Sequence, residues 1–189
     1  MDAPSRIDLS RYDQSWYSRG RSALVIVLWE IVQRLLIHGS LHPMFGWRRF
    51  WYRCFGARIG KRVLIRRSAT CTYPWKLSIG DRTWIGDDVV LYSLERIEIG
   101  ADAVVSQRAY LCTGSHDHSD PAFGLVVKPI RIGDCAWVAI DALIMPGVSV
   151  GEGALVAARS LLTRDAAPWT IYRGQPAKAA GVRSLSSPR

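Results

Sequence analysis

The chain has 189 residues, 49% of them apolar, and a chain of that size buries roughly two-thirds or more of its unfolded surface, enough for one real core. Its formal charge of +9 is confined to one part: residues 1 to 67 hold thirteen Arg or Lys against four Asp or Glu, while residues 68 to 189 hold twelve of each. A surplus so placed, with no recognised binding motif beside it, argues against a nucleic-acid partner, and Cys54, Cys71, Cys112 and Cys135 show neither close pairing nor metal spacing.

The opening Met1-Asp2-Ala3-Pro4 lacks the basic stretch and apolar run of a secretory leader, so the expectation is a reduced, cytoplasmic protein. Residues 1–56 read as a basic, Trp-rich, partly helical segment carrying Trp16, Trp29, Trp47 and Trp51. Within it an apolar run from Ala23 to Ile37 is interrupted only by Glu30, Gln33 and Arg34. Such a run is too short to span a bilayer, which needs about 20 residues. A helix with its polar residues on one side, flanked by Arg and Trp, suits peripheral contact with an anionic inner leaflet through residues 1–55. It equally suits packing on a neighbouring domain or subunit, and the sequence leaves the two open.

From Ile59 onward an aliphatic residue recurs every six positions. The slots are Ile59, Ile65 and Cys71; Ile79, Ile85 and Leu91; Ile99, Val105 and Leu111; then Ile132, Val138, Ile144, Val150, Val156 and Leu162. Fourteen of the fifteen are Ile, Leu or Val, and a small or β-branched residue stands four places later in thirteen cases, such as Ala136, Ala142 and Ala154. The phase slips by two residues before Ile79 and again before Ile99, but Ile132 to Leu162 runs unbroken.

A period of six fits neither a 3.6-residue helix nor strand alternation. It fits a chain of short straight edges that turns a corner at each repeat, three edges to a coil, with the aliphatic slot pointing into a narrow prism. Gly60, Gly80, Gly86, Gly100, Gly133 and Gly151 directly follow slots, where a corner would need permissive backbone. The chain contains no Asn, so Gly and Asp are expected to carry the positive-φ corners.

After Leu111 the next slot, Ile132, comes twenty-one positions on instead of six, so residues 57–172 are expected to form the prism with an inserted loop at about 115–129. The excursion opens Thr113-Gly114-Ser115-His116-Asp117-His118-Ser119-Asp120, the densest set of titratable groups in the chain. A coil that emits a long loop usually does so for function, although a merely solvated loop would read the same way.

The pattern Ile132-Gly133-Asp134-Cys135-Ala136-Trp137 resembles the hexapeptide-repeat acyltransferases. The strings Tyr73-Pro74-Trp75-Lys76-Leu77, Leu111-Cys112-Thr113-Gly114-Ser115-His116-Asp117-His118 and Arg173-Gly174-Gln175-Pro176-Ala177 are similar to the colanic-acid biosynthesis acetyltransferases, with the maltose, galactoside and nodulation-factor O-acetyltransferases as relatives. The resemblance implies a mainly β fold, a left-handed parallel β-helix with an N-terminal α-helical segment and a short C-terminal tail. The handedness comes from the family alone, since the usual crossover rule favours the opposite hand.

It further implies an acetyl-CoA-dependent O-acetyltransferase acting on a sugar hydroxyl in exopolysaccharide or capsule biosynthesis, by direct attack in a ternary complex and without a metal. In that reading His116 is the general base, a role that suits an imidazole of unperturbed pKa near 6.5. Motif matching carries acetyl-CoA contacts onto Ile140 and Ala158 through main-chain groups, and onto Thr163, Arg164 and Lys178, the last in a C-terminal tail of residues 173–189. Arg183 is a further candidate cation. Tyr92, Ser93, Asp117, His118 and Trp137 are candidates for the acceptor side, where some relatives carry an Asn that this chain lacks. Asp117, Asp120 or a backbone carbonyl would orient His116.

The same resemblance implies a homotrimer with sites between subunits and a saccharide acceptor, lipid-linked in the version that places the protein at the inner face of the cytoplasmic membrane. Free sugars and small xenobiotics are the alternative acceptors, and a non-catalytic trimeric scaffold is the alternative of another class. A zinc hydratase on the same prism would need three histidines from adjacent coils, whereas His116 and His118 share one loop. A covalent cysteine at Cys112 has no sequence feature that would lower its pKa.

Overall fold

The computed structural model describes residues 6–186; the opening Met1-Asp2-Ala3-Pro4 lies outside the described residues. A short 3-10 turn, Leu9–Arg11, begins an extended arm that leads into helix α1 (Ala23–Val32), which continues as a π-helical turn, Gln33–Ile37. Helix α2 (Phe45–Cys54) follows. From there the chain winds through three parallel sheets, visiting each once per coil.

Sheet A stacks β1 (Arg58–Ile59), β4 (Leu77–Ile79), β7 (Ile97–Ile99), β12 (Ile130–Ile132) and β15 (Ser149–Val150). Sheet B stacks β2 (Leu64–Ile65), β5 (Trp84–Ile85), β8 (Val104–Val105), β13 (Trp137–Val138) and β16 (Leu155–Val156). Sheet C stacks β3 (Thr70–Cys71), β6 (Val90–Tyr92), β9 (Tyr110–Cys112), β14 (Leu143–Ile144) and β17 (Leu161–Leu162). The result is a three-sided parallel β-helix.

All fifteen repeat slots are buried, and they stack in register: Ile65 pairs with Ile85, Ile85 with Val105, and Val138 with both Val105 and Val156. The residue four places on is small because it too points inward; Ala69, Ala103, Ala109 and Ala154 have no exposed surface. At the two slips of phase the extra pair of residues is absorbed outside the register, in the turn Pro74–Lys76 and at Ser93-Leu94.

The corners correct the expectation drawn from glycine. None of the six glycines that follow slots has a left-handed backbone; positive φ falls two residues later and is borne mostly by other residues. Between sheets A and B the column is Arg62, Arg82, Asp102, Cys135, Gly153 and Trp169, and between B and C it is Asp88, Arg108, Asp141 and Arg159. Left-handed backbone costs an L-residue about 1–2 kcal/mol, and here each one joins a ladder that offsets the cost. The corner N–H groups of Arg82, Asp102, Cys135, Gly153 and Trp169 donate to the preceding coil's Lys61, Asp81, Ala101, Asp134 and Glu152 carbonyls at 2.8–2.9 Å. Outside the ladder, Arg82 forks onto Asp102 (2.6 Å for both bonds) and Arg108 onto Asp141 (2.7 and 2.9 Å). Those hydrogen bonds hold both carboxyls below the usual carboxylate range.

The slot-following glycines are needed for closeness instead. A methyl group on Gly133 would stand 2.6 Å from the Glu152 nitrogen of the next coil, inside any real contact.

The N-terminal helices close the lower end of the stack. Carbonyls of the first coil face away from the second, and side chains satisfy them: Arg53 on Ile59 (3.0 and 2.6 Å), Arg49 on Val63 (2.8 Å), Arg48 on Ile65 (2.6 Å) and the Trp29 indole on Cys71 (2.8 Å). Arg48 is fully buried and also donates to Ser40 Oγ and to the Leu41 and His42 carbonyls, with its guanidinium 4.7 Å from the Phe45 ring centre. At the other end β18 (Thr170–Gly174) adds to sheet B and turns back as β19 (Ala177–Val182) in an antiparallel hairpin.

Gly133→Ala is expected to lower stability by roughly 1–3 kcal/mol through overpacking between coils; a urea midpoint unchanged from the parent would contradict the close approach.

Candidate functional site

The excursion between coils three and four is a β-hairpin, β10 (Gly114–His116) paired antiparallel with β11 (Leu125–Val127), and His116 stands opposite Leu125. Its root is pinned by Thr113, which is fully buried and donates through Oγ1 to the Tyr92 carbonyl (2.6 Å) while accepting from Glu95 N (2.9 Å).

At the tip, Asp120 takes the backbone N–H of Ala122 on one oxygen (2.9 Å) and that of Gly124 on the other (3.0 Å). Phe123, between them, has φ 54° and donates its own N–H to the Asp120 carbonyl (2.8 Å). This turn brings the Phe123 carbonyl 2.9 Å from His116 Nδ1, and the Phe123 ring stacks on the imidazole at 4.3 Å and 10°. A carbonyl can only accept, so Nδ1 carries a proton, and in the neutral ring the lone pair is on Nε2. Of the three expected orienting groups, the carbonyl is the one used. Asp117 accepts from Ser119 N and Oγ, which hold it below the usual carboxylate range, and Asp120 acts on the turn.

One aromatic residue closes on His116 from the N-terminal arm, and another stands at the root of the hairpin. The N-terminal arm crosses the hairpin, fixed by Asp8 N–H donating to the Pro121 carbonyl (2.8 Å), and sets the Tyr12 ring 5.8 Å from the imidazole. Tyr92 is half-buried at the hairpin root, where it would meet any side chain at Gly114, and burial raises its phenol pKa. Tyr12 and Phe123 carried no sequence signal. One is tertiary contact across about a hundred residues, and the other acts through its main chain; the Asp120 to Gly124 spacing was the only hint of a braced turn.

The other candidates fall in distinct places. Ser93 is turned inward: it is fully buried, donates to the Tyr73 carbonyl (3.1 Å) and accepts from Tyr73 N (2.8 Å), so it has no free group for an acceptor. Asp117 and His118 are exposed at the hairpin tip. Trp137 lies on the outer face of sheet B, its indole N–H on Ser106 Oγ (2.9 Å), and lines a groove of about 640 Å³ with Trp84, Val104 and Gln107.

Ile140 and Ala158 occupy the same corner, between sheets B and C, in successive coils, and the Ile140 carbonyl accepts from Arg159 N (2.9 Å). Thr163 and Arg164 are exposed where β17 leaves sheet C, and Lys178 is exposed on β19 opposite Arg173. Arg183 is engaged internally, on the Cys135 (2.8 Å) and Gly153 (3.0 Å) carbonyls. One chain therefore brings His116, Tyr92, Asp117 and His118 to the hairpin, while Ile140 and Ala158 stand at a different corner from the one where the hairpin emerges.

Cysteine chemistry finds no support. Burial pushes the Cys71 thiol up to about 12 and raises that of Cys112, whose Sγ donates to the Gly114 carbonyl (3.0 Å). Among the described residues no group of three or more His, Cys, Asp or Glu is arranged to hold a metal ion.

No protein-family model matches the chain. It is 46% identical over 170 residues, 90% of this chain and 93% of the other, to an Escherichia coli K12 protein named as a colanic acid biosynthesis acetyltransferase. It is 30% identical over 138 residues to nodulation protein L of Rhizobium meliloti, covering 71% of this chain and 75% of that one. Among solved structures, a hexapeptide-repeat-containing acetyltransferase of Vibrio cholerae complexed with acetyl coenzyme A superposes with a TM-score of 0.78 at 25% identity, over 87% of this chain and 92% of that chain.

The bond from Nδ1 to the Phe123 carbonyl has a direct readout. Nitrogen-15 spectra should show the neutral form of His116 protonated at Nδ1 and bare at Nε2, and Asp120→Ala should mix the two tautomers; the opposite tautomer in the parent would contradict the geometry.

Proposed function

We propose that this chain, which belongs to the hexapeptide-repeat acetyltransferase family, moves acetyl from acetyl-CoA to a sugar hydroxyl with His116 as general base. The single observation that carries the assignment is the imidazole whose Nδ1 is fixed on the Phe123 carbonyl at 2.9 Å, which leaves Nε2 as the basic atom. An alcohol at neutral pH is a poor nucleophile, so its proton must leave as attack begins.

In this reading the acceptor hydroxyl donates to Nε2 and its oxygen attacks the thioester carbonyl while both substrates are bound. The tetrahedral oxyanion collapses, the C–S bond breaks, and the imidazolium returns the proton to the departing CoA thiolate. Tyr12 and Tyr92 flank the acceptor, since aromatic rings offer a sugar both an apolar face and a hydroxyl. An exopolysaccharide or capsule sugar is the acceptor class, which the name of the E. coli relative supports. We assign it in lipid-linked form at the cytoplasmic face of the membrane.

For the donor, Ile140 and Ala158 offer main-chain groups to the pantetheine arm, and Thr163, Arg164 and Lys178 offer hydrogen bonds and positive charge to its phosphates. Trp137 and the groove it lines supply apolar surface for that arm. Because this corner and the hairpin stand apart on one chain, a complete site is proposed between the hairpin of one subunit and the corner of the next.

The outer faces support a homotrimer of that kind. Sheet A presents the polar column Arg58, Ser78, Glu98, Arg131 and Ser149, with Arg131 3.2 Å from Glu98. Sheet B presents Leu64, Trp84, Val104, Trp137 and Leu155, and sheet C presents Thr70, Val90, Tyr110, Leu143 and Leu161, apolar above the first coil. Two apolar faces at one corner allow face B of one copy to meet face C of the next, a heterologous contact that closes on three.

With acetyl-CoA and a panel of nucleotide sugars, oligosaccharides and lipid-linked saccharides, thiol release should identify the acceptor. On it, His116→Ala should lower kcat by roughly 10² to 10⁴ with the KM for acetyl-CoA little changed, and a loss under about tenfold would move the base elsewhere. Light scattering of active protein should give three times the 21.1 kDa chain mass; an active monomer would overturn the shared site.

A further inference from the structure

The geometry points to the outer stripe of α1, continued by the aromatic edge of α2, as a surface that docks on an anionic lipid bilayer; for its purpose it rests on the lipid-linked acceptor proposed above. Ala23–Ile37 is one continuous helical rod. Ile26, Trp29 and Ile37 turn inward and are buried. At 3.6 residues per turn, Leu24, Val27, Leu28, Ile31 and Leu35 fall on the opposite side, and they are 45–69% exposed. A surface helix ordinarily places charged and polar residues on that side. This one is apolar both toward the core and away from it.

Helix α2 extends the patch with Met44, Trp47 and Phe50, all exposed at intervals of three residues. The Trp47 indole N–H donates to the Leu36 carbonyl (2.8 Å) and stacks near Phe50, which sets this edge against the last turn of the rod.

Charge selects the occupant. Arg19 and Arg21 precede the rod, Arg34 borders the stripe, Arg53 stands in the last turn of α2 and Lys61 and Arg62 follow that helix, all exposed, while Glu30 is the one carboxylate on the rod. Leucines ringed by Arg and Trp match the interface of a bilayer, where the apolar side sinks about 5–10 Å and cations meet anionic headgroups. No helix among the described residues is long and apolar enough to cross a membrane, so the contact is peripheral. The columns proposed to join copies lie on the prism faces and include none of these residues.

The test mixes the full-length protein with vesicles of phosphatidylcholine and phosphatidylglycerol, or of phosphatidylcholine alone, and measures sedimented protein. The expected result is binding to the anionic vesicles, weakened by salt and reduced about tenfold or more by the double variant Leu28→Glu, Ile31→Glu. Thiol release with a soluble acceptor and the size in solution should stay as in the parent, and the milder Leu28→Ser, Ile31→Ser should bind less while keeping the parent melting temperature. No binding by the parent, equal binding to both vesicle types, or a variant that changes oligomeric size would each overturn the proposal, the last by assigning the stripe to another copy. The readout is lipid binding, so it stands or falls apart from the role of His116.

Discussion

Everything in this molecule depends on one coil lying squarely on the last. A hexapeptide edge is too short to hold itself straight; it is held by its neighbours above and below, through backbone bonds that run from coil to coil and through aliphatic side chains stacked in columns. Two sequence features follow from that constraint. The residue after each slot comes close to the next coil's backbone, which is why glycine is so frequent there. The corner residue must be left-handed, and because its N–H is then aimed at the coil below, even Arg and Asp can occupy it. Where successive corner residues carry opposite charges, as at Arg82 and Asp102 and at Arg108 and Asp141, their forked ion pairs align with the ladder, although exposed pairs of this kind stabilise by only about 0–1 kcal/mol each.

A stack also has ends, and its open rungs are a liability unless covered. Much of the positive surplus acquires a meaning here. Arg48, Arg49 and Arg53 are fitted to the carbonyls that the first coil cannot pair with a coil beneath it. Guanidinium suits the task because its five donors lie in a fixed fork. The buried Arg48 shows how far this goes: its partners are neutral oxygens and an aromatic ring, and burial pulls its pKa down. Arg19, Arg21 and Arg34 remain exposed before and along the first helical rod.

The period of six, the inward slots, the excursion and its histidine were all readable from the chain, because each is a local pattern repeated or broken. At the corners Asp88, Asp102 and Asp141 take the positive φ expected of Asp, but the glycines that follow slots do not. Glycine was assigned conformational freedom where it in fact supplies thinness, since spacing along a chain does not say which neighbour lies against it. Ser93 was offered to a ligand when its hydroxyl serves Tyr73, twenty residues away and one coil below. Tyr12 was invisible for the same reason on a larger scale, and the Phe123 carbonyl because a main-chain atom has no letter in a sequence. What was legible is periodic; what was not depends on which coil sits on which.

The hairpin carrying His116 leaves the stack without disturbing it: β9 pairs directly with β14, Tyr110 beside Leu143, as though the hairpin between them did not exist. Scaffold and appendage are therefore structurally separable: lengthening, trimming or recomposing the hairpin would leave the register of the prism intact.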